Sequence, residues 1–369
     1  LRFPGFEDEW ERKKLGEVAT NKSKKYNPKN KQTFIKCIEL EHLASESGQL
    51  LGFTDGSQSG SIKNVFQKNE VLFGKLRPYL KKYLQPNFDG VCSSEIWVLN
   101  GNEISNNFLY YLIQTNKFID LANQSSGSKM PRADWNIVEN GIFSIPSCNE
   151  QKKLSAFLSL LDERIQTQSK IIRELSVLKV TLAKRIFAKK FKLKDDNGKD
   201  FPEWQKKKLG EIGAITTGSS NREDSILNGE YTFFDRSQDV RTSNRFLFDK
   251  EAVIVPGEGK EFIPKYFIGK FDLHQRTYAV FDFIGINGKY LYYHLLNDDK
   301  HLQSQAVGST VKSLRLPMFK TMPINLPSIP EQTKIANFLS SLDSKINIET
   351  QFLHKLEEQK KYFLHQMFV

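Results

Sequence analysis

Cysteine is scarce in this chain of 369 residues: Cys37, Cys92 and Cys148 stand far apart, with no CxxC spacing. That argues against a disulfide framework and a thiolate metal site, and for the cytoplasm. Long apolar runs are missing too. No stretch approaches a bilayer span, so no membrane partner is expected, and LRFPGFEDEWERKK lacks the apolar core of a signal peptide. His42, His274, His294, His301, His354 and His365 show no metal-ligand spacing. The phosphate loop GxxxxGK[ST] is absent: Gly257-Glu258-Gly259-Lys260 is only half of such a cradle. Absent as well is the Asn/Asp-Pro-Pro-aromatic tetrapeptide that an amino-methyltransferase needs. The net charge of +11 is not gathered into a basic tail. A polyanion would therefore have to be met by basic groups collected on one face of a folded part.

What is present is a duplication. EQKKLSAFLSLLDERI from Glu150 returns as EQTKIANFLSSLDSKI from Glu331, an offset of 181 that holds without a gap until Phe187 falls on Phe368. Leu154, Leu158, Leu161, Ile165, Ile172, Leu175, Leu182 and Ile186 keep an alternating 4,3 spacing. Ile335, Leu339, Leu342, Ile346, Leu353, Leu356, Phe363 and Met367 repeat it. A sustained 3.5-residue apolar period predicts a coiled-coil seam. Its polar interruptions repeat as well, Gln168 with Glu349 and Lys179 with Lys360, and polar seam groups fix register at a cost in stability.

The regions before the helices are also paired. FPGFEDEW (Phe3 to Trp10) with Leu15-Gly16-Glu17 returns as FPEW (Phe201 to Trp204) with Leu209-Gly210-Glu211. Strand-like runs at Thr33–Ile38, Glu70–Phe73 and Gly90–Leu99, and a helical run at Asn106–Phe118, have partners at Thr232–Phe234, Ala252–Pro256, Asp272–Phe281 and Lys289–Asn297. IFSIPS and INLPSIP then lead by proline into each long helix. The expected class is α+β: module 1–145, helix 146–190, linker and module 191–326, helix 327–369. Tyr110-Tyr111 and Tyr292-Tyr293 read as core.

Two kinds of chemistry compete. Asp249 with Glu258-Gly259-Lys260 imitates the D…ExK arrangement of a metal-dependent nuclease. The basic segments offer another reading. VLFGKLRPYLKK carries Lys75, Arg77, Lys81 and Lys82, and SKMPRADW carries Lys129 and Arg132. The second module offers Lys260, Lys265, Arg276, Lys312 and Arg315. Such clusters at strand ends reach phosphates with lysine and guanine edges with arginine. A coiled-coil scaffold binding only proteins is the alternative from another class.

Taken together, FPGFxxxW, VLFGKLRPYLKK, GSKMPRADW and the proline-EQxK entry to a duplicated helix resemble the specificity subunit of type I restriction–modification enzymes, across the whole chain. The resemblance implies two target-recognition domains, each reading half of a split sequence in double-stranded DNA, with the two helices packed antiparallel as a spacer. It implies a subunit with no catalysis and no cofactor of its own. Two modification subunits would supply S-adenosylmethionine-dependent adenine methylation, and restriction subunits would use ATP and Mg. A helix of 38 positions, roughly 57 Å at 1.5 Å per residue, would set a gap of about 5–8 base pairs between half-sites.

Overall fold

The computed structural model describes residues 1–30, 33–124, 130–308 and 311–368. The chain divides into two compact units, Leu1–Ser169 with Gln351–Val369, and Lys170–Thr350. The long helices Cys148–Phe187 and Ile329–Met367 are each shared between them.

In the first unit the entering strand Glu11–Lys14 pairs antiparallel with the exit strand Ile142–Ile145, so the chain enters beside the point where it leaves. A four-stranded sheet orders Ala19–Thr20, Ile96–Gly101, Val71–Gly74 and Tyr83–Leu84. A five-stranded sheet orders Lys25–Tyr26, Lys63–Phe66, Gly90–Cys92, Lys36–Ile38 and Thr54–Asp55. The helical run after Ser105 is broken in two, Asn106–Leu112 and Asn116–Ala122, because the Thr115 hydroxyl accepts from Phe118 N and caps the second piece. Phe73, Trp97, Phe108 and Phe118 form the core. Leu154, Leu158 and Leu161 of the first long helix, and Leu364 and Met367 of the second, are buried in it.

The second unit repeats the plan with its strands fused. Phe248–Pro256 covers what the first unit builds as two strands, because Phe66 and Phe248 hold equivalent places opposite Gly90 and Phe271. In the first unit Gln67–Glu70 turns there, with Asn69 in the left-handed region that asparagine tolerates. The second unit stays extended through that stretch. The outcome is one six-stranded sheet, with Ala214–Thr217 and Arg241–Ser243 at its edges. The run Asp272–Phe281 breaks at His274–Arg276, between the strands Lys265–Leu273 and Thr277–Phe281.

The duplicated Glu-Gln pair has a structural role in each unit. Gln151 accepts from Ser105 N (3.0 Å) and donates to Pro146 O (3.0 Å). Gln332 accepts from Asn287 N (2.8 Å) and donates to Pro327 O (2.8 Å). Trp10 and Trp204 donate their indole N–H to Glu150 (3.1 Å) and Glu331 (3.0 Å). Each segment that runs from Phe-Pro to tryptophan, Phe3 to Trp10 and Phe201 to Trp204, is thereby tied to the first turn of a long helix. Glu150 also receives Arg2 in a bidentate pair. Among the described residues Glu331 has no matching guanidinium and one of its oxygens is buried without a partner, and burial raises its carboxyl above the ordinary range.

Within each unit the start of one long helix meets the end of the other, running antiparallel. Lys360 Nζ stands 2.6 Å from Asp162, which also accepts from the Tyr111 hydroxyl (3.0 Å). Lys179 pairs with Asp343, which accepts from the Tyr293 hydroxyl (2.6 Å). Both polar seam lysines thus find carboxylates one offset apart. The candidate seam residues Leu154, Leu158, Leu161, Ile335, Leu339 and Leu356 are buried, while Ile165, Ile172, Leu175, Leu342, Ile346 and Leu353 are half-buried.

Candidate nucleic-acid interface

In the first unit the strand Val71–Gly74 delivers its end to a loop held by backbone bonds. Lys75 N donates to Glu95 O (2.9 Å), Arg77 N to Pro131 O (2.8 Å) and Ala133 N to Lys75 O (2.8 Å). Leu76 and Arg132 form a bridge, which brings segments 56 positions apart onto one ledge. Arg77 (φ 52°) and Lys81 (φ 47°) flank the 3-10 turn Pro78–Leu80, both in the left-handed region. Two such non-glycine residues store roughly 1–3 kcal/mol each, and strain of this kind gathers at functional sites.

The side chains divide by partner. Arg77 is exposed and Lys75 half-buried, and neither has a side-chain partner among the described residues. Arg132, about half exposed, is held by Glu95 (3.0 Å). Lys81 stands 3.5 Å from Glu46. Lys82 turns inward and donates to Leu40 O (2.7 Å). Lys129 lies outside the described residues.

The second unit rebuilds the ledge with other side chains. Gly257 N donates to Arg276 O (2.9 Å), Leu314 N to Gly257 O (2.8 Å), and Glu258–Gly259 pairs with Lys312–Ser313. Glu258 therefore stands where the first unit has Leu76, Arg276 where it has Glu95, and Ser313 where it has Arg132. A Cβ at Gly257 would approach the Arg276 carbonyl oxygen to 2.7 Å, so close backbone approach demands glycine here. The Glu258 carboxylate, mostly buried, joins Arg276 through one oxygen and Arg236 through the other (3.1 Å).

Several neighbours hold this cluster in place. Asp235 accepts from Ser237 N (2.7 Å) and from Arg241 Nε (2.9 Å), and burial is opposed there by these donors, which hold its carboxyl below the usual range. Lys265 donates to Ser237 O (2.6 Å), and burial lowers its ammonium's pKa. His274 accepts from Arg276 N (3.0 Å), and burial first of all keeps its imidazole below the ordinary range. Arg245 joins the buried Asp272 (3.3 Å). Lys260 and Arg315 are exposed, and Lys312 lies 3.4 Å from Gln303.

The nuclease reading does not survive this geometry. Asp249 lies near the start of Phe248–Pro256 and Glu258 just beyond its end. At about 3.3 Å per residue the strand alone separates them by more than 20 Å, too far to share a metal. Glu258 is, moreover, already bound between two guanidiniums. Arg236, Arg241 and Arg245 went unnoticed in the sequence, although DRSQDVRTSNR places an arginine every four or five positions.

The model of the type I restriction modification DNA specificity domain matches residues 7–177 and again 202–358. The chain belongs to that family. Its members recognise DNA targets and are not catalytic, and the double match coincides with the two structural repeats. The chain is 32% identical over 161 residues to the type I restriction enzyme EcoDI specificity subunit of Escherichia coli, covering 44% of this chain and 36% of that one. It is 25% identical over 367 residues to the MjaVIII specificity subunit of Methanocaldococcus jannaschii, covering 90% and 80%. The chain thus spans about a third of the first relative's length and four fifths of the second's. A solved specificity subunit from M. genitalium superposes over 100% of this chain and 97% of its own, with TM-score 0.63 at 15% identity, a likeness of fold. Among the described residues, no helix is long and apolar enough to cross a membrane.

Proposed function

We propose that this chain reads a bipartite DNA target, one half-site per module, and recruits modification and restriction subunits that carry the chemistry. The observation behind this reading is the repeated ledge. The backbone bonds of Lys75, Arg77 and Ala133 recur at Gly257, Gly259 and Leu314, while the side chains they present differ. A fixed frame with exchanged side chains suits a protein whose halves read different sequences, since base contacts specify and phosphate contacts position. Among the candidates, Lys75, Arg77, Lys81, Arg132, Lys260, Arg276, Lys312 and Arg315 suit a DNA-facing role, together with Lys129. Lys82 and Lys265 spend their ammonium groups on carbonyls and suit a supporting one.

The domain plan proposed is 1–145, 146–190, 191–326 and 327–369, with the two helices as spacer. Two modification subunits per chain, using S-adenosylmethionine, match the duplication, because repeated surfaces call for repeated partners. The restriction subunits would bring ATP and Mg chemistry. The reading places the complex in the cytoplasm. Mapping methylated adenines genome-wide, with and without this gene, tests it: a split consensus should vanish with the gene. Binding to the modification subunit with no sequence preference on DNA would instead favour a protein-only scaffold.

A further inference from the structure

We infer that arginines held by a carboxylate on each ledge read guanine, with Arg236 and Arg276 forming the reading pair of the second module and Glu258 its positioning residue. This rests on the proposed reading of split DNA targets. Glu258 sits between the two guanidiniums with little of its own surface exposed, while Arg236 and Arg276 remain 52% and 59% exposed. Each arginine gives Glu258 a single terminal nitrogen, so its other N–H donors stay available. The loop carrying Arg236 is itself pinned, by Asp235 on Ser237 N and by Lys265 on Ser237 O. Arg245 differs, because two of its three nitrogens, Nε and one terminal nitrogen, are turned to Asp272 and Ser220 inside the fold.

The carboxylate decides what these arginines suit. Beside Glu258 a phosphate meets a negative charge, which cancels much of what the guanidinium would gain. A guanine edge presents two neutral acceptors, O6 and N7, and asks for a planar fork held in one orientation. The pair therefore keeps its full geometric value for a base, while one carboxylate shared by two guanidiniums leaves only half of their combined charge for a phosphate. The first module has a related device from different places on the frame, since Glu95 holds Arg132 from the position that Arg276 occupies in the second, and Arg132 takes the place of Ser313. Arg77 and Arg315, with no carboxylate among the described residues, keep their full charge for phosphate.

The test uses the full chain assembled with its modification subunit. A randomised bipartite library is selected at several salt concentrations for wild type, Arg236→Ala, Arg276→Ala, Arg276→Lys, Glu258→Gln, Arg132→Ala and Arg315→Ala. Arg236→Ala and Arg276→Ala should each relax one G·C position in the same half-site, with discrimination falling roughly 10- to 100-fold. Arg132→Ala should relax the other half-site. Arg276→Lys keeps the charge and the surface yet should relax the same position as Arg276→Ala. Glu258→Gln should blur both positions of that half-site. Arg315→Ala should leave the consensus intact and reduce the salt slope by about 0.9. The inference is overturned if Arg276→Lys retains full selectivity, if Arg276→Ala lowers the salt slope with an unchanged consensus, or if the half-site has no G·C pair at the affected places. A wild-type complex with no split consensus would overturn the proposed function itself, and this inference with it.

Discussion

Replacing Lys360 by methionine should destabilise the first unit more than Lys179→Met destabilises the second, although the two lysines are copies of one position. Lys360 is 9% exposed and its partner Asp162 17% exposed; Lys179 is 17% exposed and Asp343 39% exposed. Removing one member of a buried pair leaves an uncompensated charge and costs about 3–5 kcal/mol, whereas an exposed pair is worth about 0–1 kcal/mol. The first pair lies near the buried limit, so about 3 kcal/mol is expected. The second lies between the limits, at about 1.5 kcal/mol. Each carboxylate keeps its tyrosine hydroxyl, which softens both losses. Native-state hydrogen exchange can read each unit separately, at Asn106–Leu112 for the first and Gly288–Asn297 for the second. Adding Asp162→Asn to Lys360→Met removes the stranded charge and should recover half or more of the loss. Equal costs in the two units, or a double variant no better than Lys360→Met alone, would refute the argument from burial.

Three further outcomes are expected. Burial lowers the His294 imidazole to about 4, so its contribution to stability is complete above the unfolded value near 6.5 and is lost as pH falls toward 4. Over that window wild type should lose about 3 kcal/mol more than His294→Asn in urea unfolding of the second unit, and parallel curves would count against it. Lys82→Met should lower stability by about 0.5–1.5 kcal/mol, since the Leu40 carbonyl loses the ammonium but keeps Leu43 N, while leaving the DNA consensus unchanged, measured by unfolding and by methylation mapping. Inserting four residues after Lys179 lengthens a helix by about 6 Å, and the preferred gap between half-sites should widen by about two base pairs; methylation restricted to the original gap would argue against a ruler.

The duplication, the long helices and the module order were legible in the chain because they are local or periodic properties. A 3.5-residue period is written in consecutive residues, and a gapless offset of 181 carries Asp162 onto Asp343 and Lys179 onto Lys360. The partners of those lysines were not legible, since which carboxylate each one meets depends on how the helices run past each other. Basic candidates were recognisable by type, but not by direction. Lys81 and Lys82 are neighbours, yet only Lys82 donates to Leu40 O, because their backbone conformations send the side chains apart. Glu258, which the D…ExK spacing offered only as an alternative metal ligand, became an arginine clamp. Strand pairing set it against residues 18 and 22 positions away, and no short pattern records that. The sequence by itself determined which elements form and that they form twice. Only the tertiary structure decided which charges meet, because ion pairing depends on distances that long-range strand register sets.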